Sequence, residues 1–172
     1  MVFSAHKPSF YLGLAFVFFI CSVNHVAATN TNYGISSLSS RTTGWTNSAF
    51  GMYSLRYTTT GSDNTAIGYD ALTKNTSGSQ NTAVGDASLR ENTTGTYNNA
   101  FGLNSLFANT TGGGNTAFGS NSLYSNTTGN QNLALGQESG YSSSGSGNVF
   151  LGYQSGYNET GSNKLYIANN DT

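Results

Sequence analysis

Few side chains in this sequence could perform chemistry, and their positions limit which kinds are open. The two histidines are His6 and His25 and the single cysteine is Cys21, so all three lie near the start of the chain. The seven carboxylates share no common spacing: Asp63, Asp70, Asp86, Glu91, Glu138, Glu159 and Asp171. Acid–base catalysis needs a positioned proton donor and acceptor, and metal sites need clustered ligands. We therefore expect no enzyme, no metal site and no cofactor.

Other binding chemistries are disfavoured as well. Nucleic-acid binding needs a basic surface, whereas this chain has 6 Lys and Arg and a net charge of −1. Calcium-loaded β-rolls carry an Asp in every unit, and no such series is present. The run Gly112-Gly113-Gly114 lacks the following Lys-Ser/Thr of a phosphate-binding loop. These glycines are therefore interpreted as a turn.

Residues 1–28 differ from the rest of the chain. Lys7 precedes an apolar run from Phe10 to Val23, and Val26-Ala27-Ala28 offers small residues for cleavage. This order is typical of a secretory signal peptide, whereas a membrane span needs about 20 apolar residues. We predict that residues 29–172 form a secreted or cell-surface protein without a membrane span. An uncleaved anchor and lipidation at Cys21 are the alternatives.

A 17-residue repeat organises the remaining chain. Glycines recur at this step from Gly34 to Gly136, with an asparagine four positions before each and a leucine four positions after the first six. The unit reads Asn-Thr-Ala-apolar-Gly-x-x-(Ser/Ala)-Leu-x-x-Asn-Thr-Thr-Gly-x-x. A fixed period is the signature of a repeat architecture. The last unit starts after 16 residues, so we predict an atypical last coil and a closing strand from about residue 147.

The unit predicts short strands rather than helices. Each copy holds two apolar clusters, such as Thr65-Ala66-Ile67 and Ala71-Leu72, separated by Gly and Asn. These clusters are much shorter than a typical helix of about 8 to 20 residues, and Gly and Asn favour corners. We predict an all-β fold, a β-solenoid or β-roll of about eight 17-residue coils. Each coil would contain two strands and two turns.

Equivalent residues of successive coils should stack in columns about 4.8 Å apart. Stacked asparagines can share amide hydrogen bonds, and glycine permits positive φ or close backbone approach. Ligand binding by the asparagines is the alternative. The predicted structural ladder comprises Asn64, Gly68, Asn81, Gly85, Asn98, Gly102, Asn115 and Gly119.

Side-chain alternation predicts an apolar stripe on the outside of the coils. Neighbouring strand residues face opposite ways, so the alanine column and the large apolar column cannot share a face. We expect the alanines and leucines inside. A continuous exposed stripe is unfavourable on a monomer, which predicts a symmetric homo-oligomer; the reverse orientation is the alternative. The predicted interface comprises Phe50, Ile67, Val84, Phe101, Phe118 and Leu135.

Variable positions carry aromatic and hydroxyl side chains that could bind partners. Exposed aromatics often anchor sugars or proteins, although packing on neighbouring coils is an equal alternative. The candidates are Trp45, Tyr69, Tyr97 and Tyr124, followed by Tyr53, Tyr57, Phe107 and Tyr141. Paired threonines such as Thr93-Thr94 favour turn formation, or water ordering as in ice-binding solenoids. Several Asn-Thr-Thr triplets match the N-glycosylation pattern.

The Asn-Thr-Ala-Ile-Gly phrase at 64–68 and its copies resemble the head repeats of trimeric autotransporter adhesins. Similar runs occur in phage tail-fibre-like and bacterial surface proteins, before a chaperone domain of the endosialidase type. The stretches 147–157 and 165–167 look like the junction to that domain. The resemblance implies a homotrimeric left-handed β-roll displayed outside the cell, often for adhesion to a host glycan or extracellular protein.

This sequence departs from the family pattern in two ways. Its unit is longer than the commonest head repeat, which predicts an enlarged turn after the leucine column. The chain also stops at Thr172 without a stalk, a barrel anchor or a chaperone domain; a fragment, a truncated product and a freely secreted form are all open. The leading hypothesis is a structural or adhesion module. A tail-fibre-like scaffold segment and an ice-binding solenoid are the alternatives.

Overall fold

One parallel sheet runs through the whole computed structural model, which describes residues 30–38 and 42–168. The predicted signal peptide lies outside these residues. The strands follow each other in sequence order, and every neighbouring pair is parallel. They are β1 (Thr31–Tyr33), β2 (Ser48–Phe50), β3 (Thr65–Ile67), β4 (Thr82–Val84), β5 (Asn99–Phe101), β6 (Thr116–Phe118), β7 (Leu133–Leu135), β8 (Val149–Leu151) and β9 (Leu165–Ile167).

The pairing register equals the sequence repeat. Ala66 pairs with Ala83, one unit later, and Ala83 pairs with Ala100. The step shortens to 16 residues where Leu133 pairs with Val149. The chain is therefore a parallel β-solenoid of about eight coils, which confirms the predicted all-β fold and coil length. Within the described ranges no helix is long and apolar enough to cross a membrane.

The core is a thin column of alanine and leucine side chains. The middle residue of each strand from β2 to β7 is a fully buried alanine, and Leu55, Leu72, Leu89, Leu106 and Leu123 are equally buried. Full burial of one leucine side chain is worth about 1.5–3 kcal/mol. Because the coils of β2 to β6 each contribute one strand alanine and one leucine, the core grows with the number of coils and has no single centre.

The predicted second strand of each coil is wrong for the described residues, because the leucine segment forms a turn. Leu72 has a φ of 51°, and its counterparts in the other coils lie between 42° and 51°. A non-glycine residue in this left-handed region costs about 1–2 kcal/mol and cannot continue a strand. Burial of the leucine offsets that cost. The Leu72 amide still donates to the Ser88 carbonyl, at 3.0 Å, so the turns stack coil on coil.

In the last coils a large residue occupies the strand position that alanine has elsewhere, and glycine occupies the turn position that leucine has elsewhere. Phe150 occupies the alanine position of β8 and is fully buried. Gly140 and Gly156 occupy the leucine position, with φ values of 59° and 58°. A Cβ at Gly156 would lie 2.2 Å from the Phe150 ring. The phenylalanine therefore fills the space that leucine fills elsewhere, and Tyr166 of β9 stacks over it at 5.9 Å.

Candidate interaction surfaces

The asparagine column that precedes the strands closes each coil and joins it to the next. Asn98 is fully buried. Its Nδ2 donates to the Gly112 carbonyl at 2.8 Å, which ties the two ends of one coil together. Its Oδ1 accepts from the amide and the Nδ2 of Asn115, at 3.0 and 3.1 Å. Every polar atom of this side chain has a partner inside the solenoid, so the column offers no free group to a ligand.

The asparagine of the Asn-Thr-Thr-Gly segment forms a second buried column with the same 17-residue step, a structural role that was not predicted from the sequence. This column comprises Asn75, Asn92, Asn109 and Asn126, all fully buried. The Nδ2 of Asn92 donates to Asn75 Oδ1 at 2.9 Å and to the Gly95 carbonyl at 3.1 Å. The column ends at Asn126, whose buried Oδ1 has no hydrogen-bond partner. Ser143 takes the asparagine position in the shortened next coil.

The large apolar residues of the strands form the outer stripe. Phe50, Ile67, Phe118 and Leu135 are exposed, while Val84 and Phe101 are partly covered. Phe118 exposes 57% of its surface, and its ring stacks on Phe101 at 5.5 Å. The alternative orientation, with these side chains inside and the alanines outside, does not describe this structure. Stacking along the column shields part of each ring and leaves a continuous apolar edge.

The outer stripe widens toward the C-terminal end. Along β2 to β6 its neighbouring outward column consists of Ser48, Thr65, Thr82, Asn99 and Thr116. In β7, β8 and β9 the same position holds Leu133, Val149 and Leu165. Both outward columns are therefore apolar over the last three strands, where contact with a partner would remove the most apolar surface from water.

A stacked aromatic column follows the leucine turn over the last four coils. Phe107, Tyr124, Tyr141 and Tyr157 lie ring over ring, with centres 5.1, 5.0 and 4.8 Å apart and planes within 5° of parallel. The Arg90 guanidinium extends the column, 5.6 Å from the Phe107 ring centre. Tyr157 was missed in the sequence because it follows Tyr141 after the shortened 16-residue step.

The surroundings of Tyr141 within this aromatic column favour the neutral form of its hydroxyl. Partial burial, together with the neighbouring Tyr157, Tyr124 and Glu138, raises the pKa of Tyr141 above its ordinary value of 10.0. At neutral pH the hydroxyl of Tyr141 is therefore protonated and can donate a hydrogen bond. The column combines half-exposed ring edges with polar tips, a combination typical of surfaces that contact sugars or proteins.

The other predicted aromatic residues do not form one site; Trp45, Tyr57, Tyr69 and Tyr97 are exposed and Tyr53 is half-buried. Trp45 and Tyr97 expose 62% and 60% of their surfaces on the turn before the strands. Tyr69 lies on the opposite turn, after the strand glycine, and contacts Tyr53 edge-on at 5.7 Å. Tyr57 is exposed beside Arg56, whose guanidinium lies 5.1 Å from its ring centre. Of the candidates, Phe107, Tyr124 and Tyr141 stack in one column, and Tyr53 and Tyr69 form a separate pair.

The paired threonines have divided roles. The hydroxyl of Thr93 donates to the Thr110 carbonyl at 3.0 Å, and Thr110 makes the same bond to Thr127. In the pairs that start at Thr42, Thr59, Thr93 and Thr110, the first threonine thus joins two coils through the backbone. The second one, such as Thr94 or Thr111, is exposed. In the pairs of Thr93 and Thr110 one hydroxyl is therefore engaged between coils, which reduces the number that face solvent for water ordering.

Charged groups are sparse, and some of them form ion pairs. Arg90 contacts Asp70 at 3.3 Å and Glu91 at 2.9 Å. At the C-terminal end, a hydrogen bond from the Tyr166 hydroxyl lowers the pKa of the Glu159 carboxyl below its ordinary value of 4.5. These two residues border an open pocket of about 330 Å³ together with Gly156, Tyr157 and Asn158. Over residues 30–38 and 42–168, no group of three or more His, Cys, Asp or Glu side chains could hold a metal ion.

No protein-family model, curated protein or solved structure matches this chain.

Proposed function

We propose that this chain is a non-catalytic extracellular module that assembles with copies of itself through the outer stripe, as a trimer, and serves as a structural or adhesive rod. The observation that carries the proposal is the continuous apolar column on the outward face of the sheet, from Phe50 to Leu135. A soluble monomer rarely exposes a contiguous apolar patch of this kind. Burial against another copy removes the stripe from water.

The regular register of the stripe supports a symmetric assembly of parallel copies. The stripe residues of β2 to β6 repeat in strict register, since Phe50 pairs with Ile67 and Phe101 with Phe118. If the copies are related by a rotation axis parallel to the solenoid axis, equivalent coils of the different copies lie side by side. A closed cyclic arrangement would use the stripe of every copy. The trimer and the left-handed coil are implied by the resemblance to adhesin head repeats.

The remaining surface would serve adhesion. The aromatic column formed by Phe107, Tyr124, Tyr141 and Tyr157 lies after the leucine turn, away from the outer stripe on the sheet. Assembly through the stripe would therefore leave this column in solvent. Its rings and hydroxyls suit a glycan or an extracellular protein. The alternative, a tail-fibre-like scaffold, would use the same assembly but bind no receptor. Secretion or surface display is proposed because of the predicted signal peptide.

Replacing Phe101 and Phe118 by serine tests the assembly. Because two large apolar groups leave the middle of the stripe, we expect the double variant to have the molar mass of one chain while the parent has that of three. Light scattering coupled to size exclusion measures both. Tyr97→Ser removes an exposed aromatic ring off the stripe and should keep the parent's mass. A double variant that stays assembled at unchanged mass would show that the stripe is not the interface.

Replacing Tyr124 and Tyr141 by serine tests the adhesive part. We expect the parent to bind members of an array of glycans and matrix proteins, and this variant to lose at least tenfold in affinity because the stacked surface is interrupted. The Tyr97→Ser variant again serves as the control. If the parent binds no member of the array, the adhesive role is contradicted and the structural role alone is retained.

A further inference from the structure

Five N-glycosylation sequons lie in the described residues, and they fall into two structural classes. Four belong to the repeat and start at the second asparagine column: Asn75, Asn92, Asn109 and Asn126. All four asparagines have no exposed surface. The fifth, Asn158-Glu159-Thr160, starts at an exposed asparagine on the last turn. A further sequon at Asn170 lies outside the described residues.

The acceptor nitrogens of the repeat sequons donate hydrogen bonds inside the solenoid, two each from Asn92, Asn109 and Asn126 and one from Asn75. Both Nδ2 hydrogens of Asn109 are donated, one to Asn92 Oδ1 at 2.7 Å and one to the Gly112 carbonyl at 3.0 Å. The space beside this nitrogen is closed, because a methyl carbon at Gly95 would lie only 2.9 Å from Asn109 Nδ2. An added group at one of these nitrogens therefore has no room beside the neighbouring coil.

N-linked transfer would destroy this arrangement. The reaction joins Nδ2 to C1 of an oligosaccharide, breaks the bond between C1 and the diphosphate of a lipid-linked donor, and releases one Nδ2 proton to solvent. The modified amide keeps a single N–H, so Asn92, Asn109 and Asn126 would each lose one of their two donated hydrogen bonds. A bulky polar sugar would also have to enter the fully buried column. The transferase acts on extended chain before folding, so later burial gives no protection.

We propose that N-glycosylation at Asn75, Asn92, Asn109 or Asn126 and folding of the solenoid exclude each other. The chain would then reach its folded state only along a route without N-linked transfer, such as the cytosol or a bacterial export pathway. Asn158 differs, since its exposed side chain borders the open pocket near Tyr157. A glycan there is compatible with the fold.

The repeat offers a matched variant that removes these sequons and leaves the buried asparagines in place. Each sequon ends in an exposed hydroxyl residue, namely Ser77, Thr94, Thr111 or Thr128. Changing all four to alanine abolishes the acceptor pattern. The ladder hydrogen bonds are made by the asparagine side chains and by backbone carbonyls, so the fold should persist. The variant produced in a bacterium should match the parent from the same host in circular dichroism and in thermal unfolding.

The test compares the full parent chain and the four-alanine variant, both secreted from yeast behind a yeast signal. We expect the parent to be glycosylated at repeat asparagines and retained, and the variant to be secreted at least tenfold better, folded and glycosylated at Asn158. Mass spectrometry of peptides from the protease-resistant fraction locates the glycans. Adding Asn158→Gln should remove that glycan without changing the fold.

Three results would overturn the proposal. Folded parent carrying a glycan at any of the four repeat asparagines would refute the mutual exclusion. If the parent is secreted in the same amount as the variant, is folded and carries no glycan at these four asparagines, the restriction to a route without N-linked transfer is refuted. Folded four-alanine variant without a glycan at Asn158 would refute the assignment of Asn158 as an accessible acceptor.

Discussion

Replacing Gly85 by alanine is expected to lower the free energy of unfolding by at least about 4 kcal/mol, or to prevent folding, which is beyond the usual effect of one substitution. A Cβ at this position would lie 2.4 Å from the Gly102 carbonyl oxygen of the next coil. The contact is with backbone, so no side chain can move aside. The two coils would have to separate, which breaks the 2.8 Å hydrogen bond from the Gly102 amide to Val84. Urea unfolding measures the loss.

Gly114→Ala is the matched control for this prediction. Gly114 also has a positive φ, of 70°, but a Cβ there would meet no atom closer than 3.6 Å. The control therefore adds the strain of a left-handed alanine, about 1–2 kcal/mol, without a backbone clash. Equal losses for the two variants would show that backbone strain alone, and not the close approach of neighbouring coils, requires glycine at Gly85.

Replacing Asn98 by alanine is expected to destabilise the chain by about 3 kcal/mol. The substitution leaves the Asn115 amide, which donates to Asn98 Oδ1 at 3.0 Å, buried without a partner. An unsatisfied buried donor costs about 1–3 kcal/mol, and the space vacated by the side chain adds to this. The coil also loses the closing bond to the Gly112 carbonyl. Urea unfolding at fixed protein concentration measures the effect, since assembly contributes to apparent stability.

The neighbouring Asn99 provides the control, because it undergoes the same chemical change outside the core. Its side chain is half-exposed on the outer face of β5, at a position where four of the other eight strands have threonine. Asn99→Ala should change stability by no more than about 0.5 kcal/mol. A loss below about 1 kcal/mol for Asn98→Ala would mean that the asparagine column does not hold the coils together.

The periodic part of the fold could be predicted from the sequence because each unit position has one environment. The strict 17-residue step identifies residues that stack, and alternation in the strand separates buried Ala66 from outward Ile67. Parallel pairing in register follows directly from these two patterns. No long-range contact has to be guessed, since each coil touches only its neighbours.

Features that depend on backbone conformation could not be predicted in the same way. The leucine segment was expected as a strand because leucine next to alanine suggests one, whereas Leu72 adopts a positive φ that leucine normally avoids. Burial of its side chain and the hydrogen bond to Ser88 outweigh the local preference. The same segment then sets the direction of the next residue, which is why Phe107 and Tyr124 stack into a column.

The interface itself is tested most directly by cysteine cross-linking at Phe118. With Cys21 changed to serine, Phe118→Cys leaves a single thiol on the outer stripe, and Thr111→Cys leaves one on the exposed turn. A disulfide forms only when two Cβ atoms approach to about 3.5–4.5 Å. Parallel copies joined through the stripe predict rapid formation of a covalent dimer for Phe118→Cys under mild oxidation, and not for Thr111→Cys. Absence of the Phe118→Cys dimer, or equal cross-linking at both positions, would contradict assembly through the stripe.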